Sequence, residues 1–211
     1  MNARILSRLL LAIVFAGLAA KAFAGGDGFV DLFNGKDLTG WKTIPEKNEG
    51  TYSVKDGVIV VTGKPNGYFY TEKSYKNYTL KYDWRYLRPD KLDDDKKFTG
   101  NSGLLMHIQL PHKVWPKSLE VQGYNLTHGS FIGIGVKVEN YKYSQETLDK
   151  IRNKVGEWNT TEVTVKDGDV VSKVNGTRIG SGKVPITEGP FGFQSEGAEL
   201  YFKNIKIKTE K

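Results

Sequence analysis

Glu120, Gln122 and Tyr124 stand at every second position of the segment Ser118-Leu-Glu-Val-Gln-Gly-Tyr124, and His107 and Gln109 do the same in Asn101-Ser-Gly-Leu-Leu-Met-His-Ile-Gln109. A period of two is that of a β-strand, so each set shares one face. Leu119 and Val121 are expected to point into a core, with Glu120, Gln122 and Tyr124 pointing away from it. In the other segment, Leu104, Met106 and Ile108 should oppose Leu105, His107 and Gln109. A polar row holding a carboxylate, an amide, an imidazole and a phenol suits sugar hydroxyls. Glu120 is therefore the leading catalytic candidate, with a solvated strand glutamate as the plain alternative. His107 is a second candidate, as a sugar contact or a proton-transferring group.

The chain has three histidines, His107, His112 and His128, all within a short stretch around Glu120. Imidazole is a common base and the commonest metal ligand, so His107, His128 and Glu120 could hold zinc or another divalent ion, although their spacing matches no specific metal motif. Asp83 and Arg85 flank Trp84 and are expected on the face opposite to it, beside Glu120 if their strands share a sheet. The alternative for them is an exposed cross-strand ion pair of little worth. Asp93-Asp-Asp95 could offer oxygen ligands to calcium but lacks the EF-hand spacing, and an ordinary loop is the preferred reading. Trp115, in a loop with Pro116, is a candidate for stacking on a sugar. Trp41 and Trp158 read as core.

Strands and turns must position these groups. Lys55-Asp-Gly57, Lys166-Asp-Gly168 and Val174-Asn-Gly176 carry the Asp-Gly or Asn-Gly signal of a tight hairpin. Tyr78, Leu80, Tyr82, Trp84 and Tyr86 alternate with Thr79, Lys81, Asp83 and Arg85 in the longest strand pattern. Short strands spaced by turns imply an all-β, antiparallel sandwich or jelly roll. Ser144–Lys154 predicts a short helix, with Ser144 as its N-cap. Lys203, Lys206 and Lys208 in the last strand fit the exposed side of an edge strand.

Residues 1–24 read as a cleaved export signal: Arg4 and Arg8 precede an apolar run from Leu9 to Ala20, and Ala22-Phe-Ala24 fits a small-x-small cleavage site. That run falls short of the roughly 20 apolar residues of a membrane span, which leaves a single domain at 25–211 with no stable membrane insertion after cleavage. The expected location is periplasmic or secreted. The net charge of +7 drops to +4 once Arg4, Arg8 and Lys21 leave with a leader that carries no acid. The remaining lysines are scattered, which argues against a nucleic-acid partner. Without cysteine there are no disulfides and no lipid-anchored lipoprotein.

Phe29-Val-Asp-Leu-Phe-Asn-Gly-Lys-Asp-Leu-Thr-Gly-Trp41, Asn101-Ser-Gly103, Trp115-Pro-Lys-Ser-Leu-Glu-Val-Gln-Gly123, Gly156-Glu-Trp-Asn159 and Gly192-Phe-Gln-Ser-Glu-Gly197 occur in that order. As an ordered set they resemble the DUF1080 family, also called the 3-keto-disaccharide hydrolase domain. The resemblance implies a concanavalin A-like, laminarinase-like jelly roll. It also implies a bacterial, exported protein acting on a small carbohydrate, in some members one oxidised at C3. Sandwich-fold glycosidases carry acids at alternating strand positions, whereas here Gln122 follows Glu120 on its face, so the second carboxyl of a conventional pair is expected to be missing. A 3-keto sugar does not require that pair, because the ketone acidifies the C2 proton and one base can start an elimination. Glu120 or His107 would serve as base, and Arg85 or a bound metal would stabilise the enolate. Gln122, Tyr124, Asn101 and Trp115 would position the sugar. A non-catalytic sugar-binding module and a structural surface protein are the other classes considered.

Overall fold

The computed structural model describes residues 27–210, so the expected export signal lies outside the described residues. Along the chain the strands are β1 (Val30–Asp31), β2 (Trp41–Ile44), β3 (Tyr52–Lys55), β4 (Val58–Val61), β5 (Gly67–Thr71), β6 (Tyr78–Tyr86), β7 (Gly103–Met106), β8 (Ser118–Gln122), β9 (Phe131–Ile134) and β10 (Glu139–Tyr143). After helix α1 (Gln145–Ile151) come β11 (Asn159–Lys166), β12 (Asp169–Val174), β13 (Thr177–Lys183), β14 (Gly192–Ser195) and β15 (Leu200–Thr209). They form two antiparallel sheets. One runs β10-β13-β12-β11-β6-β15-β4-β3, with β1 added beside β15; the other runs β2-β5-β14-β7-β8-β9. This is the expected jelly-roll sandwich.

Alternation along the strands creates the core. Tyr82, Trp84, Phe202 and Val163 from the larger sheet meet Phe69, Phe193, Leu104, Met106, Leu119 and Val121 from the smaller. Phe193 bridges the layers, its ring 4.9 Å from Tyr82 and 4.7 Å from Phe202. Such aromatic pairs add about 1 kcal/mol each beyond the area they bury.

The hairpin signals are realised as read. Asp56 and Gly57 (φ 51° and 75°), Asp167 and Gly168 (47° and 86°), and Asn175 and Gly176 (47° and 82°) take the left-handed conformations that a two-residue hairpin turn needs. The Ser144 hydroxyl accepts the Thr147 N–H at 3.2 Å and caps α1. The helix docks through Leu148 against Val174 and Ile179. The edge-strand reading of the C-terminal lysines is corrected: β15 lies inside the larger sheet, between β6 and β4. Lys203 and Lys206 are partly covered side chains on the outer face of an interior strand. Among the described residues no helix is long and apolar enough to cross a membrane.

Candidate functional site on the outer face of the smaller sheet

The register of the smaller sheet lays out the site in rows. Tyr70 pairs with Gly192, Gly192 with Leu105, Leu105 with Glu120 and Glu120 with Ile132. In the neighbouring row Tyr68 pairs with Gln194 and Gly103 with Gln122. An isolated bridge joins Asn101 to Glu196 just beyond the end of β14. All these side chains point away from the shared core, because their strand neighbours Phe69, Phe193, Leu104, Leu119 and Val121 point into it.

Glycines leave this face open where the polar groups converge. A Cβ on Gly103 would stand 2.2 Å from Gln194 Oε1 and 2.5 Å from Glu120 Oε1, so both side chains occupy space that any other residue would fill. A strand glycine often marks such a close approach. Although it lies on an outer face, Glu120 is only 5 % exposed and Gln194 is fully buried. Neither amide atom of Gln194 has a hydrogen-bond partner. An unsatisfied buried amide costs about 1–3 kcal/mol, and here it is aimed at a carboxyl on a glycine floor.

Burial pushes the Glu120 carboxyl up to about 7, the neighbouring Glu196 carboxylate adds to the rise, and Gln194 partly offsets it. Burial also raises Glu196, offset by the Asn101 side chain beside it. The expectation that a second carboxyl is missing is therefore corrected. Gln122 does take the next place on β8, but Glu196 comes in from the neighbouring chain segment. The alternation Gln194-Ser195-Glu196 after Gly192 and Phe193 was the signal that could have revealed it.

His107 does not share this face. β7 ends at Met106, and His107 adopts φ +52°, a left-handed conformation uncommon outside glycine, asparagine, aspartate and histidine. The turn swings the imidazole inward, where it is 1 % exposed and meets Tyr78 edge-on at 5.8 Å. Its Nδ1–H donates to the Ile186 carbonyl at 3.0 Å. Burial lowers its pKa. Ile108 then emerges on the outer face beside Tyr68, Tyr70 and Leu105. The shared setting expected for His107 and Glu120 is thus corrected by one backbone conformation.

His128 is also interior. Its ring stacks on Trp84 with centroids 3.9 Å apart, and its Nε2 meets the Thr161 hydroxyl at 2.8 Å. Burial drives its pKa down to about 3. His107, His128 and Glu120 therefore do not form the metal set considered from sequence. Among the described residues no cluster of three His, Asp or Glu side chains could hold a metal ion.

Arg85 and Asp83 are removed from the site as well. They alternate with Trp84 on β6 and so project from the outer face of the larger sheet, on the far side of the molecule from Glu120. Asp83 accepts from Thr160 Oγ1 and from Asn204 Nδ2, each at 2.6 Å. The Arg85 guanidinium lies 4.9 Å from the ring centroids of both Trp158 and Tyr201. Trp158, read as core, is instead a half-covered platform for Arg85 and for Lys203 at 4.1 Å. Trp41 is core, as read. Asp93 binds Lys97 at 2.8 Å, and Asp95 binds Arg88 at 2.7 Å and the Val155 N–H at 2.7 Å, which makes that acidic loop a structural one.

Of the other predicted contacts, Gln122 faces the site, with its Oε1 accepting the Tyr124 backbone N–H at 2.8 Å. Tyr124 is half-buried at the turn beyond β8. Asn101 stands beside Glu196. Trp115 is 40 % exposed in the β7–β8 connection.

That connection carries the residue underrated from sequence, His112. Its ring lies 4.6 Å from Tyr70, and the Tyr68 hydroxyl meets its Nδ1 at 3.2 Å. Burial, and then Lys42, lower its pKa from the ordinary 6.5, so it is neutral at pH 7. His112, Tyr70, Lys42, Ser74, Gln109 and Glu188 border an open cavity of about 620 Å³.

A jelly-roll sandwich whose sheet face gathers carboxyls, amides and aromatic rings defines a carbohydrate-active protein of glycosyl hydrolase-like type. The chain belongs to the 3-keto-alpha-glucoside-1,2-lyase-like domain family, whose profile matches residues 28–208. A candidate glycosyl hydrolase from Parabacteroides distasonis is 30% identical and superposes with a TM-score of 0.62, over 88% of this chain and 95% of that one. A second candidate glycosyl hydrolase from the same organism is 19% identical, with a TM-score of 0.63 over 86% of this chain and 99% of that one. A carbohydrate-binding module from Bacillus subtilis shares the fold at 12% identity and TM-score 0.56, over 81% of this chain and 96% of its own. A comparison with curated proteins found no match.

Proposed function

We propose that the protein cleaves 3-keto-glucosides by base-initiated elimination, with Glu120 as the base. The observation that carries this reading is a buried carboxyl held at about 7 beside a second carboxyl and an unpartnered amide. A base works best when its pKa lies near the working pH. The ketone at C3 makes the C2 proton acidic. Glu120 removes that proton, the electron pair passes through the enolate, and the C1–O bond breaks with O1 leaving and taking up a proton. Water adding at C1 of the resulting enone gives net hydrolysis. In this scheme the free Nε2–H of Gln194 donates to the developing enolate oxygen, the part assigned from sequence to Arg85 or a metal. Asn101 and Gln122 hold ring hydroxyls. The expected leader would place this activity outside the cytoplasm.

The pairing of Glu120 with Glu196 favours one competing reading, direct hydrolysis of unoxidised glycosides by two carboxyl groups. Rates on a 3-keto-α-glucoside and on its unoxidised parent separate the two. Turnover confined to the oxidised sugar supports elimination, and turnover of the parent at equal rate supports the carboxyl pair. Binding of both sugars without turnover of either would make the protein a recognition module.

A further inference from the structure

We propose that the cavity of about 620 Å³ between the end of β5 and the β7–β8 connection is a second carbohydrate site, which binds a neutral sugar without taking part in the reaction. It stands apart from the Glu120 face. Tyr70, which lines it, is three strands from Glu120 along the row through Gly192 and Leu105, about 14 Å at strand spacing. The buried cluster of Tyr68, Leu105 and Ile108 fills the interval. A sugar held in the cavity touches none of the groups assigned to the chemistry, so the inference does not depend on Glu120 being a base.

The walls are formed in advance. Tyr75 and Gly189 exchange backbone hydrogen bonds at 3.0 and 3.2 Å, and the Ile108 N–H donates to the Pro190 carbonyl at 2.8 Å. Gln109 Nε2 donates to the carbonyls of His107 and Glu188, both at 2.9 Å. The volume lies within the ordinary range of small-ligand sites, which are largely preformed.

The lining is divided by character. The β7–β8 connection brings Ile108, Leu110 and the His112 ring, whereas β2 and the chain just after β5 bring Lys42, Glu72 and Ser74. Leu110 is 78 % exposed, an aliphatic side chain left in water that packing in the fold does not explain. The His112 ring rests 4.6 Å from Tyr70, and its Nδ1 meets the Tyr68 hydroxyl at 3.2 Å. That leaves Nε2 without a partner among the described residues. A sugar ring has the same two characters, C–H faces that cover apolar groups and an edge of hydroxyls. One ammonium, Lys42, and two carboxylates, Glu72 and Glu188, offer those hydroxyls both donors and acceptors. They provide no excess of positive charge to hold a phosphate or carboxylate.

The test titrates trehalose, a neutral α-glucoside, and trehalose 6-phosphate into isotope-labelled protein and follows the backbone amide resonances. Trehalose is expected to shift the amides of Ile108, Leu110, His112 and Gly189 in a saturable manner, with the phosphate binding at least about fivefold more weakly. His112→Ala and Leu110→Ser are each expected to weaken trehalose binding about five- to tenfold. Leu110→Ser alters an exposed side chain and decides the matter if His112→Ala fails to fold. In Glu120→Gln the same shifts and the same affinity are expected. No saturable shift at these amides, or an unchanged affinity in folded Leu110→Ser, overturns the site. Equal binding of the phosphate overturns its preference for a neutral sugar, and loss of the shifts in Glu120→Gln overturns its separation from the reaction site. Failure of the catalytic reading would look different: Glu120→Gln would keep turning over a 3-keto-α-glucoside, with the trehalose shifts intact.

Discussion

Glu120→Gln should make the protein less active and more stable at the same time, and pH should govern both effects. The folded protein holds the Glu120 proton up to about pH 7, against an ordinary carboxyl value of 4.5. Each pH unit of that interval is worth about 1.4 kcal/mol, so the ionised carboxylate costs the folded state at most about 3 kcal/mol. The sign follows from proton binding. Between pH 4.5 and about 7 the folded state holds a proton that the unfolded chain has released, so stability falls as pH rises and levels off above that range. Glutamine is neutral throughout and escapes this loss. Relative to wild type, Glu120→Gln should gain nothing near pH 4 and most of the 3 kcal/mol by pH 8. In a chain of this size that is about 5–10 °C in Tm. Over the same range wild-type kcat/KM on a 3-keto-α-glucoside should climb through an inflection near 7, and the variant should lose about 100- to 10,000-fold. Calorimetric scans from pH 4 to 8 and rate profiles over the same range read the two arms separately. A Tm difference that stays constant with pH refutes the buried, perturbed carboxyl. A variant that retains wild-type turnover refutes the base.

Gly103→Ala should leave the fold intact while pushing Glu120 and Gln194 apart, lowering kcat about 10- to 100-fold with little change in circular dichroism. Thr161→Val should strand both Trp84 Nε1, now 2.9 Å from the hydroxyl, and His128 Nε2, costing about 1–3 kcal/mol in urea unfolding. Arg85→Ala should lose about 1 kcal/mol of stability with its cation–π contacts to Trp158 and Tyr201, and leave kcat/KM unchanged. A large fall in kcat/KM would return Arg85 to the site.

Period-two patterning made the sandwich legible, and it placed Glu120 and Gln122 on the outer face because β8 is regular from end to end. The three Asp-Gly and Asn-Gly turns were equally readable, since few other pairs tolerate two successive left-handed residues. Periodicity misled at His107 because it assumes that the strand continues. One residue at φ +52° ends β7 and exchanges the faces of His107 and Ile108. Glu196 and His112 were hidden for a different reason. Their relation to Glu120 and Tyr70 depends on which strands become neighbours and on how a loop folds back, and these are long-range facts that local spacing does not encode. The same holds for β15, whose lysines look like those of an edge until β4 is known to lie beyond it.

Among the unpaired buried polar atoms of the described residues, those of His107 and Tyr78 contrast with those of Gln194. His107 Nε2 and Tyr78 OH are orphaned inside the sandwich, between layers of aromatic side chains. No ligand reaches them without opening the core, and their cost is offset by the packing around them. The orphaned amide of Gln194 lies instead on the outer face of a sheet, over a glycine and against a carboxyl that burial has made half-neutral near pH 7. Stability alone would favour an apolar pair at those two positions, since each group has only the other's polar atoms beside it. A sugar hydroxyl or an enolate oxygen between Gln194 and Glu120 would satisfy both. The arrangement disfavours the empty site and favours the occupied one, as expected of groups positioned for a reacting ligand rather than for the fold.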